Sequence, residues 1–344
     1  RYLEDDSIPY IRIWKFSEDA KGNLFAFCNS PNGVLFYKKE SGASNFIKQG
    51  FVKDKTKIND NSSLGYTYLN YKNELIYTGE KPVILSTSNG NTSYQPISLP
   101  HNLKNGIRLV KRKSDTELYV LNEEGIFLLN EKNNTAKGLT NNITFLRKDD
   151  LWREMQIISD KWVFISTYGN GLIKVDLEKN TKQFITLVDG IPSLYLYDIY
   201  SDKSNNLWIS SNFGIIRYNP FKNQFRSFGP AEGVQDFEFN AGSSFQKENN
   251  EIFFAGLKGL NYFNPDKIQY NEELPLVYLK DLKLSNELVA IGDLKSPLQK
   301  SLSTTDKLTL SHNQSFFSIE YVGVNYTRSK NNQYAYLLEG FDEK

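Results

Sequence analysis

The fold is decided by two stretches of the chain: residues 206–220 read NLWISSNFGIIRYNP, and residues 251–265 read EIFFAGLKGLNYFNP. Each predicts a strand, a glycine turn, a second strand and a further turn, because short apolar and aromatic runs alternate with Gly, Asn and Pro. The same phrase recurs around residues 162–176, 117–130 and 23–37, and a degenerate copy covers residues 73–86. The chain is therefore built from a repeat.

The repeat length indicates one architecture. The glycine before the second strand recurs at spacings of 92, 46, 43 and 45 residues, at Gly33, Gly125, Gly171, Gly214 and Gly259. The first spacing is twice 46, and the missing anchor falls near Lys81-Pro82. Six repeats of about 44 residues thus fill residues 7–270. Units of this length with about four strands each, arranged radially, are typical of a β-propeller.

Aromatic residues at equivalent positions of the repeats are predicted to pack between neighbouring blades rather than to bind ligand. They are Trp208 and its counterparts Phe25, Tyr119, Phe164 and Phe253. The anchor glycines are predicted to adopt a positive φ in a tight hairpin, a conformation that glycine reaches without steric cost.

The composition agrees with an all-β chain and excludes several functions. Aromatic residues make up 14% of the chain, while Cys and Met occur once each, a mixture that favours strands. Lys and Arg number 41 against 40 Asp and Glu, so the chain lacks the basic surface of a nucleic-acid binder. The single Cys28 excludes an internal disulfide, and no apolar stretch approaches the roughly 18 residues of a membrane span. We expect no nucleic acid as a partner.

The pattern changes after residue 268. Longer alternating runs follow at residues 276–284, 307–310, 316–321 and 334–338, with the spacing of a sandwich. The predicted domains are a β-propeller over residues 1–270 and an immunoglobulin-like β-sandwich over residues 271–344. About seventy residues make a thin sandwich, so we expect this domain to be truncated at its C-terminal end.

Catalytic chemistry is not indicated. The only two histidines, His101 and His312, lie on segments with no reason to meet, which argues against a histidine metal site or a Ser-His-Asp triad. No glycine-rich phosphate loop occurs, and the adjacent carboxylate pairs fall in positions typical of turns, so a glycosidase pair is not indicated. We expect no catalytic residue, no metal and no cofactor.

A binding face is easier to predict. Loops on a rigid scaffold commonly hold function, and the segment that enters the innermost strand of a blade opens beside the central channel. Three repeats align there at residues 152–155, 194–197 and 237–240. They supply six candidate ligand-binding residues: Trp152, Arg153, Tyr195, Tyr197, Glu238 and Asn240.

These residue types suit a carbohydrate. Flat aromatic rings stack on the C–H faces of sugars, while Arg, Glu and Asn satisfy hydroxyl or carboxylate groups. Arg153 favours an acidic sugar. The alternative is that Tyr195 and Tyr197 pack beneath the loop as structural residues.

Several phrases of this sequence are similar to a known family. Residues 189–193 (DGIPS), 206–209 (NLWI) and 239–242 (FNAG) resemble the two-component-regulator propeller repeats of bacterial hybrid two-component sensors. Residues 259–266 (GLNYFNPD) resemble the repeat that closes such an array, and residues 278–344 resemble the triple-tyrosine domain that follows it, above all at 282–286 (LKLSN) and 333–341 (QYAYLLEGF). The resemblance covers nearly the whole chain.

The resemblance implies the periplasmic sensor region of an inner-membrane histidine kinase. Such receptors typically carry two seven-bladed propellers, the sandwich, a membrane helix, a kinase, a receiver and a DNA-binding helix-turn-helix. This chain then corresponds to the second propeller, with one blade completed by residues before Arg1 or by a degraded copy. The ligand implied is an oligosaccharide, and the output is transcription of glycan-utilisation genes. The implied partners are an upstream propeller of the same protein and a second receptor copy in a homodimer.

Two other function classes remain open from the residues alone. A propeller-fold polysaccharide lyase or hydrolase would need a convergent base and a charge neutraliser in the channel. A protein-interaction scaffold would expose a large apolar patch on one face. The sensor interpretation, in which this fragment is not an enzyme and the catalytic domains lie elsewhere in the parent protein, is favoured because only a sensor needs the connecting sandwich.

Overall fold

The structure is a computed structural model that describes residues 12–18, 21–30, 33–52, 67–70, 72, 74–78, 83–88, 91–103, 107–140, 151–247, 249–269, 276–325 and 334–340. The chain divides into two compact units, Arg1–Ile268 and Gln269–Lys344. Strands dominate both units, and the helical elements among the described residues are single turns of 3-10 helix. No helix in the described part of the chain is long and apolar enough to cross a bilayer.

Five sheets of the first unit have four strands each, paired antiparallel in the order of the chain. Sheet 1 contains β1 (Arg12–Glu18), β2 (Leu24–Ser30), β3 (Gly33–Lys39) and β4 (Ile47–Val52), and sheet 2 contains β5 (Thr67–Leu69), β6 (Leu75–Tyr77), β7 (Val83–Ser88) and β8 (Asn91–Pro96). Sheet 3 contains β9 (Leu109–Arg112), β10 (Glu117–Asn122), β11 (Gly125–Asn130) and β12 (Thr135–Gly138). Sheet 4 contains β13 (Trp152–Ile158), β14 (Trp162–Thr167), β15 (Leu172–Asp176) and β16 (Thr181–Ile185), and sheet 5 contains β17 (Leu196–Ser201), β18 (Leu207–Ser211), β19 (Gly214–Asn219) and β20 (Gln224–Phe228).

The sixth sheet has three strands among the described residues: β21 (Phe239–Gln246), β22 (Ile252–Gly256) and β23 (Gly259–Phe263). The first strands of the sheets contact one another in sequence, since β13 contacts β9 and β17, β17 contacts β21, and β21 contacts β1. First strands that adjoin in this way form the inner ring of a propeller. The predicted β-propeller is thus confirmed, and the seventh blade is not among the sheets that the described residues form.

Apolar clusters fill the spaces between the faces of successive sheets. Leu172, Ile209 and Ile216 belong to the buried cluster of sheets 4 and 5, while Leu121 and Val163 belong to that of sheets 3 and 4. Such burial on both faces holds each blade to its neighbours. It also makes sheets 3 to 5 a rigid frame for the loops at their ends.

The predicted packing of aromatic residues between blades is confirmed at Trp208. Its buried ring lies 5.5 Å from that of Phe228 and 4.9 Å from that of Phe263 in sheet 6. Its counterparts Phe25, Tyr119 and Phe164 are also buried. Phe253 is only half-buried, because it lies on the side of sheet 6 that carries the exposed side chains of Phe245 and Tyr262.

The predicted role of the anchor glycines is confirmed most clearly at Gly214. Its φ is +82°, and a Cβ added there would lie 2.1 Å from the carbonyl oxygen of Phe228. Only glycine fits this position, where β19 begins against β20. The degenerate anchor at Lys81-Pro82 lies outside the described residues.

The second unit contains one three-stranded sheet among its described residues: β24 (Leu276–Leu284), β25 (Glu287–Leu288) and β26 (Phe317–Val324), in the order β25-β24-β26. Leu282, Leu298 and Leu302 are buried together on one side of it.

Residues 307–310 and 334–338 do not form the predicted strands. Leu308 and Leu310 instead cover the sheet as an irregular segment, packed on the buried cluster. Tyr334 lies over β26, where its hydroxyl accepts a hydrogen bond of 3.1 Å from the backbone N of Gly323. The second layer of the expected sandwich is not among the described sheets, so the assignment to the triple-tyrosine class stays a prediction.

Candidate ligand-binding face

Hairpins and inter-sheet linkers meet at one end of sheets 4 and 5. The hairpin of residues 168–171 joins β14 to β15, and the backbone N atoms of Gly169 and Gly171 donate to the carbonyl oxygen of Leu194 at 2.9 and 3.0 Å. In sheet 5, the backbone N of Gly214 donates a hydrogen bond of 2.7 Å to the carbonyl oxygen of Phe237. We call this the hairpin end; it comprises residues 151–153, 168–171, 186–197, 212–214 and 229–238.

The two linkers at the hairpin end are built alike. Each begins with a single 3-10 turn, at Leu187–Asp189 and Pro230–Glu232, and each turn ends in a glycine with a left-handed φ. A carboxylate caps each turn by accepting a backbone N–H at 2.8 Å, from Thr186 in the first linker and from Gly229 in the second. Because the two linkers share this geometry, the residues that come after them lie at equivalent positions on neighbouring sheets.

The inner strands begin irregularly just after these linkers. Their pairing is interrupted between Trp152 and Glu154 in β13, between Leu196 and Ile199 in β17, and between Phe239 and Ser244 in β21. A bulge turns side chains away from the two-residue alternation of a strand, and bulges are frequent next to functional sites. Arg153, Tyr197 and Asn240 fall inside these three irregular stretches.

Four of the six predicted site residues meet around a fifth residue, Tyr168. The guanidinium carbon of Arg153 lies 5.0 Å from the centre of the Tyr168 ring, which is cation–π distance. The rings of Tyr168 and Tyr195 are 4.9 Å apart and meet edge to face, while Tyr197 stacks on Tyr168 at 6.2 Å. The Tyr197 hydroxyl donates to a carboxylate oxygen of Glu238 at 2.6 Å. We call these five residues the tyrosine cluster.

The members of the tyrosine cluster differ in exposure. Tyr168 and Tyr195 are each 42% exposed, so their rings are accessible. Tyr197 is 5% exposed and packs beneath them, as the alternative interpretation expected of it. Its hydroxyl nevertheless holds the Glu238 carboxylate at the hairpin end through their hydrogen bond.

The protonation of Tyr197 follows from its surroundings. Burial, the hydrogen bond to Glu238 and the charge of Glu238 raise the pKa of Tyr197 above its ordinary value, and the charge of Arg153 opposes them. The phenol therefore stays protonated at neutral pH and remains a hydrogen-bond donor to Glu238.

Trp152 and Asn240 stand apart from the tyrosine cluster. Trp152 is half-buried and packs against the apolar cluster of sheets 3 and 4, with an indole N–H that finds no acceptor among the described residues. Asn240 is half-buried in β21, and the described residues show no hydrogen bond from it to the tyrosine cluster. Ligand contact at any of the six residues stays a prediction.

Sequence analysis did not select Tyr168, Phe213 or Phe237 as site residues, although Phe237 begins the aligned linker segment 237–240. Phe213 lies in the hairpin of sheet 5, as Tyr168 lies in the hairpin of sheet 4. The repeat alignment contained this signal, since the hairpins before the anchor glycines align as well as the linkers do. Tyr168 and Phe213 lie in these hairpins, outside the aligned linker segments.

The chemistry of the hairpin end suits recognition of polar rings. It combines a guanidinium, phenol rings and a carboxylate, which can bind hydroxyl and acidic groups. The described residues contain no group of three or more His, Cys, Asp or Glu side chains that could hold a metal ion. The expected lack of a cofactor stays a prediction.

Fold and site together define the class: a β-propeller with an aromatic and charged cluster at one end, followed by a smaller β-rich unit. No family model matches the sequence. Over 175 residues, or 51% of this chain, the sequence is 32% identical to histidine kinase P4 of Formosa agariphila. The matched part is 12% of the length of that kinase.

A solved structure shows the same fold. The extracellular domain of a hybrid two-component system from Bacteroides thetaiotaomicron aligns with 95% of this chain at a TM-score of 0.53 and 16% identity. The extracellular domain of a one-component system from the same organism aligns with 90% at a TM-score of 0.44 and 14% identity. This chain spans 48% of each of those chains. The resemblance to two-component sensor proteins that the motifs predict is confirmed by the similarity to the histidine kinase. The first of these structures shows that the fold is shared.

Proposed function

We propose that this chain is the ligand-sensing region of a hybrid two-component histidine kinase and that it binds an oligosaccharide outside the cytoplasm. The tyrosine cluster carries the proposal, because it offers accessible ring faces beside a cation and a carboxylate. The similarity to a histidine kinase and the fold of an extracellular sensor domain support it. The fragment itself is non-catalytic in this proposal, and the kinase lies elsewhere in the parent protein.

The residues of the tyrosine cluster favour an acidic sugar. The exposed rings of Tyr168 and Tyr195 can stack on C–H faces, while their hydroxyls can bond those of the sugar. A guanidinium binds a carboxylate through paired hydrogen bonds that are stronger than neutral ones. Arg153, already held near Tyr168, would supply that contact.

Signalling requires that the sugar binds one state of the receptor better than another. A hundredfold difference in affinity biases the equilibrium by about 2.7 kcal/mol, enough to move a minor state to dominance. The proposed output is transcription of glycan-utilisation genes. An upstream propeller of the same protein and a second copy of the receptor are the proposed partners. The proposed location of this chain is the periplasm, as the extracytoplasmic part of an inner-membrane protein.

Calorimetric titration tests the binding directly. The chain is titrated with a panel of neutral and uronic-acid oligosaccharides, and the same samples are analysed for cleavage products. We expect binding without cleavage, an affinity at least tenfold lower in Tyr195→Ala, and in Arg153→Met a loss confined to the acidic sugars. Phe221→Ala is the matched control, since this exposed phenylalanine lies beyond the opposite end of β19.

Three results would contradict the proposal. Cleavage of a glycan would favour the lyase or hydrolase. If Tyr195→Ala and Phe221→Ala bound the oligosaccharides with equal affinity, the binding site would not lie at the hairpin end. Failure of every glycan to bind would leave the protein-interaction scaffold as the better account.

A further inference from the structure

A second aromatic pair lies at the hairpin end, one sheet beyond the tyrosine cluster. Phe213 stands in the hairpin between β18 and β19, and Phe237 stands in the linker that enters β21, just as Tyr168 and Tyr195 stand in a hairpin and a linker one repeat earlier. The two phenylalanine rings are 5.5 Å apart at an angle of 31°. They are 48% and 45% exposed.

Backbone contacts hold this phenylalanine pair in place. The backbone N of Gly214 donates to Phe237 at 2.7 Å, and the backbone N of Phe213 donates to the Ser211 hydroxyl at 2.9 Å. The backbone N of Phe237 donates to the carboxylate of Asp236 at 2.8 Å. Rings fixed before a ligand arrives lose little entropy on binding, so the pair is pre-organised.

The phenylalanine pair adjoins the tyrosine cluster directly. The backbone N of Asn212, the neighbour of Phe213, donates to the carbonyl oxygen of Tyr195 at 3.4 Å. Phe237 is in turn the neighbour of Glu238, whose carboxylate receives the Tyr197 hydroxyl. Exposed aromatic side chains thus continue from sheet 4 to sheet 5 without an intervening element.

Core packing does not explain the phenylalanine pair. Neither ring belongs to the buried clusters of sheets 3 to 5, and each keeps nearly half of its surface in water. Contiguous exposed apolar surface on a soluble protein commonly marks a binding site. Exposed aromatic rings in the hairpin and the linker of two successive sheets therefore favour a ligand that extends across both.

We infer that Phe213 and Phe237 form a second sugar subsite, so that the ligand is a linear oligosaccharide with rings stacked on two neighbouring sheets. This inference rests on the proposed function. The phenylalanine rings offer no hydrogen bond, so this subsite takes a neutral ring through its C–H face. The acidic ring lies at the tyrosine cluster, next to Arg153, which fixes the direction of the oligosaccharide across the sheets.

A glycan array tests this inference through the length of the bound sugar. The array carries cello-oligosaccharides and neutral oligosaccharides with one terminal uronic acid, each of one to six rings, and it is probed with the wild-type chain, the double variant Phe213→Ala/Phe237→Ala, Tyr195→Ala and the control Phe221→Ala. Thermal unfolding followed by circular dichroism checks that each variant is folded. Should the double variant unfold, the milder Phe213→Leu and Phe237→Leu replace it.

We expect wild-type binding to rise at least tenfold between one and three rings. The double variant should bind three rings no more tightly than one and should keep the weak binding of single rings. Tyr195→Ala should weaken binding at every length. Phe221→Ala should match the wild type.

The outcomes separate the inference from the proposed function. If the double variant binds long oligomers as the wild type does, or if the wild type binds one ring as tightly as three, the second subsite is wrong while the proposed function stands. If the wild-type chain binds neither series of oligosaccharides at any length, the proposed function is wrong, and this inference is wrong with it.

Discussion

The two ends of sheets 4 and 5 are made by the same strands but differ in what they leave to solvent. The end opposite the hairpin end, which we call the turn end, comprises residues 159–161, 177–180, 202–206 and 219–223. There the Asp202 carboxylate accepts hydrogen bonds of 2.9 Å from the backbone N of Asn206 and from the indole of Trp208. At the hairpin end, in contrast, the rings of Tyr168 and Tyr195 are each 42% exposed.

The difference separates residues that hold the fold from residues that are free to bind. The Asp202 side chain finds both of these partners inside its own sheet, so its geometry serves the strand pairing. Asn180, Asn205 and Asn223 adopt the left-handed φ that such tight turns demand. An aromatic ring at the hairpin end has no comparable internal use, which directs function to that end.

The largest effect on stability is expected when the buried aromatic residue at the turn end is replaced. Trp208→Ala should lower the free energy of unfolding by about 3–5 kcal/mol, because a fully buried aromatic side chain is lost from between two sheets. Trp162→Ala is the matched control and should cost less, since Trp162 is only half-buried. Urea unfolding followed by circular dichroism measures both. Equal losses would contradict the assigned role of Trp208.

A smaller effect on stability is expected when a glycine with a left-handed φ is replaced at the hairpin end. Gly233→Ala should cost about 1–2 kcal/mol, because alanine is strained at a left-handed φ and a Cβ there meets no other atom. Gly214→Ala adds a clash with the carbonyl of Phe228 and should cost more. It should also weaken oligosaccharide binding, because Gly214 holds Phe213 and Phe237 together.

The comparison of the two glycine variants uses the same denaturation assay and the calorimetric titration. A Gly214→Ala protein as stable as Gly233→Ala would show that the hairpin relaxes without cost. The close approach of β19 to β20 would then not be what requires glycine.

The smallest effect concerns an ion pair beside the phenylalanine pair. The hydrogen bond from Lys258, together with that from the backbone N of Phe237, lowers the pKa of Asp236 below its ordinary value. A carboxyl whose pKa is lowered on folding stabilises the protein above its unfolded pKa, and this contribution is lost as pH falls through the folded pKa.

Lys258→Met should therefore raise the pKa of Asp236 toward its ordinary value and slightly lower the stability near neutral pH, and the difference from the wild type should vanish as pH falls through the folded pKa. A carboxyl titration followed by NMR measures the shift. An unchanged pKa in the variant would assign the lowering to the backbone contact alone.

The propeller could be predicted from the sequence because its information is local and repeated. A glycine at the start of the third strand and an aromatic residue in the second strand recur in five of the six units, so one correctly interpreted repeat predicts the others. Gly214 and Trp208 show why the pattern is strict: one has no room for a Cβ, and the other fills the space between two sheets.

The candidate site was predicted only in part, because bulges break the two-residue alternation at the starts of the inner strands. The linker alignment brought Arg153, Tyr195, Tyr197 and Glu238 to the correct end of the sheets. It could not show that Trp152 turns toward the apolar cluster while its neighbour Arg153 turns toward Tyr168. The second unit was harder still, because its apolar runs do not repeat and Leu308 and Leu310 pack without pairing in a strand.

Hydrogen–deuterium exchange tests the central claim, that the hairpin end binds the oligosaccharide, most directly. The chain is compared alone and with the tightest-binding oligosaccharide of the titrated panel. The account predicts slower exchange in residues 168–171, 194–197 and 237–238, with residues 177–180 and 219–223 at the turn end unchanged. Protection confined to the turn end or to the second unit would contradict it.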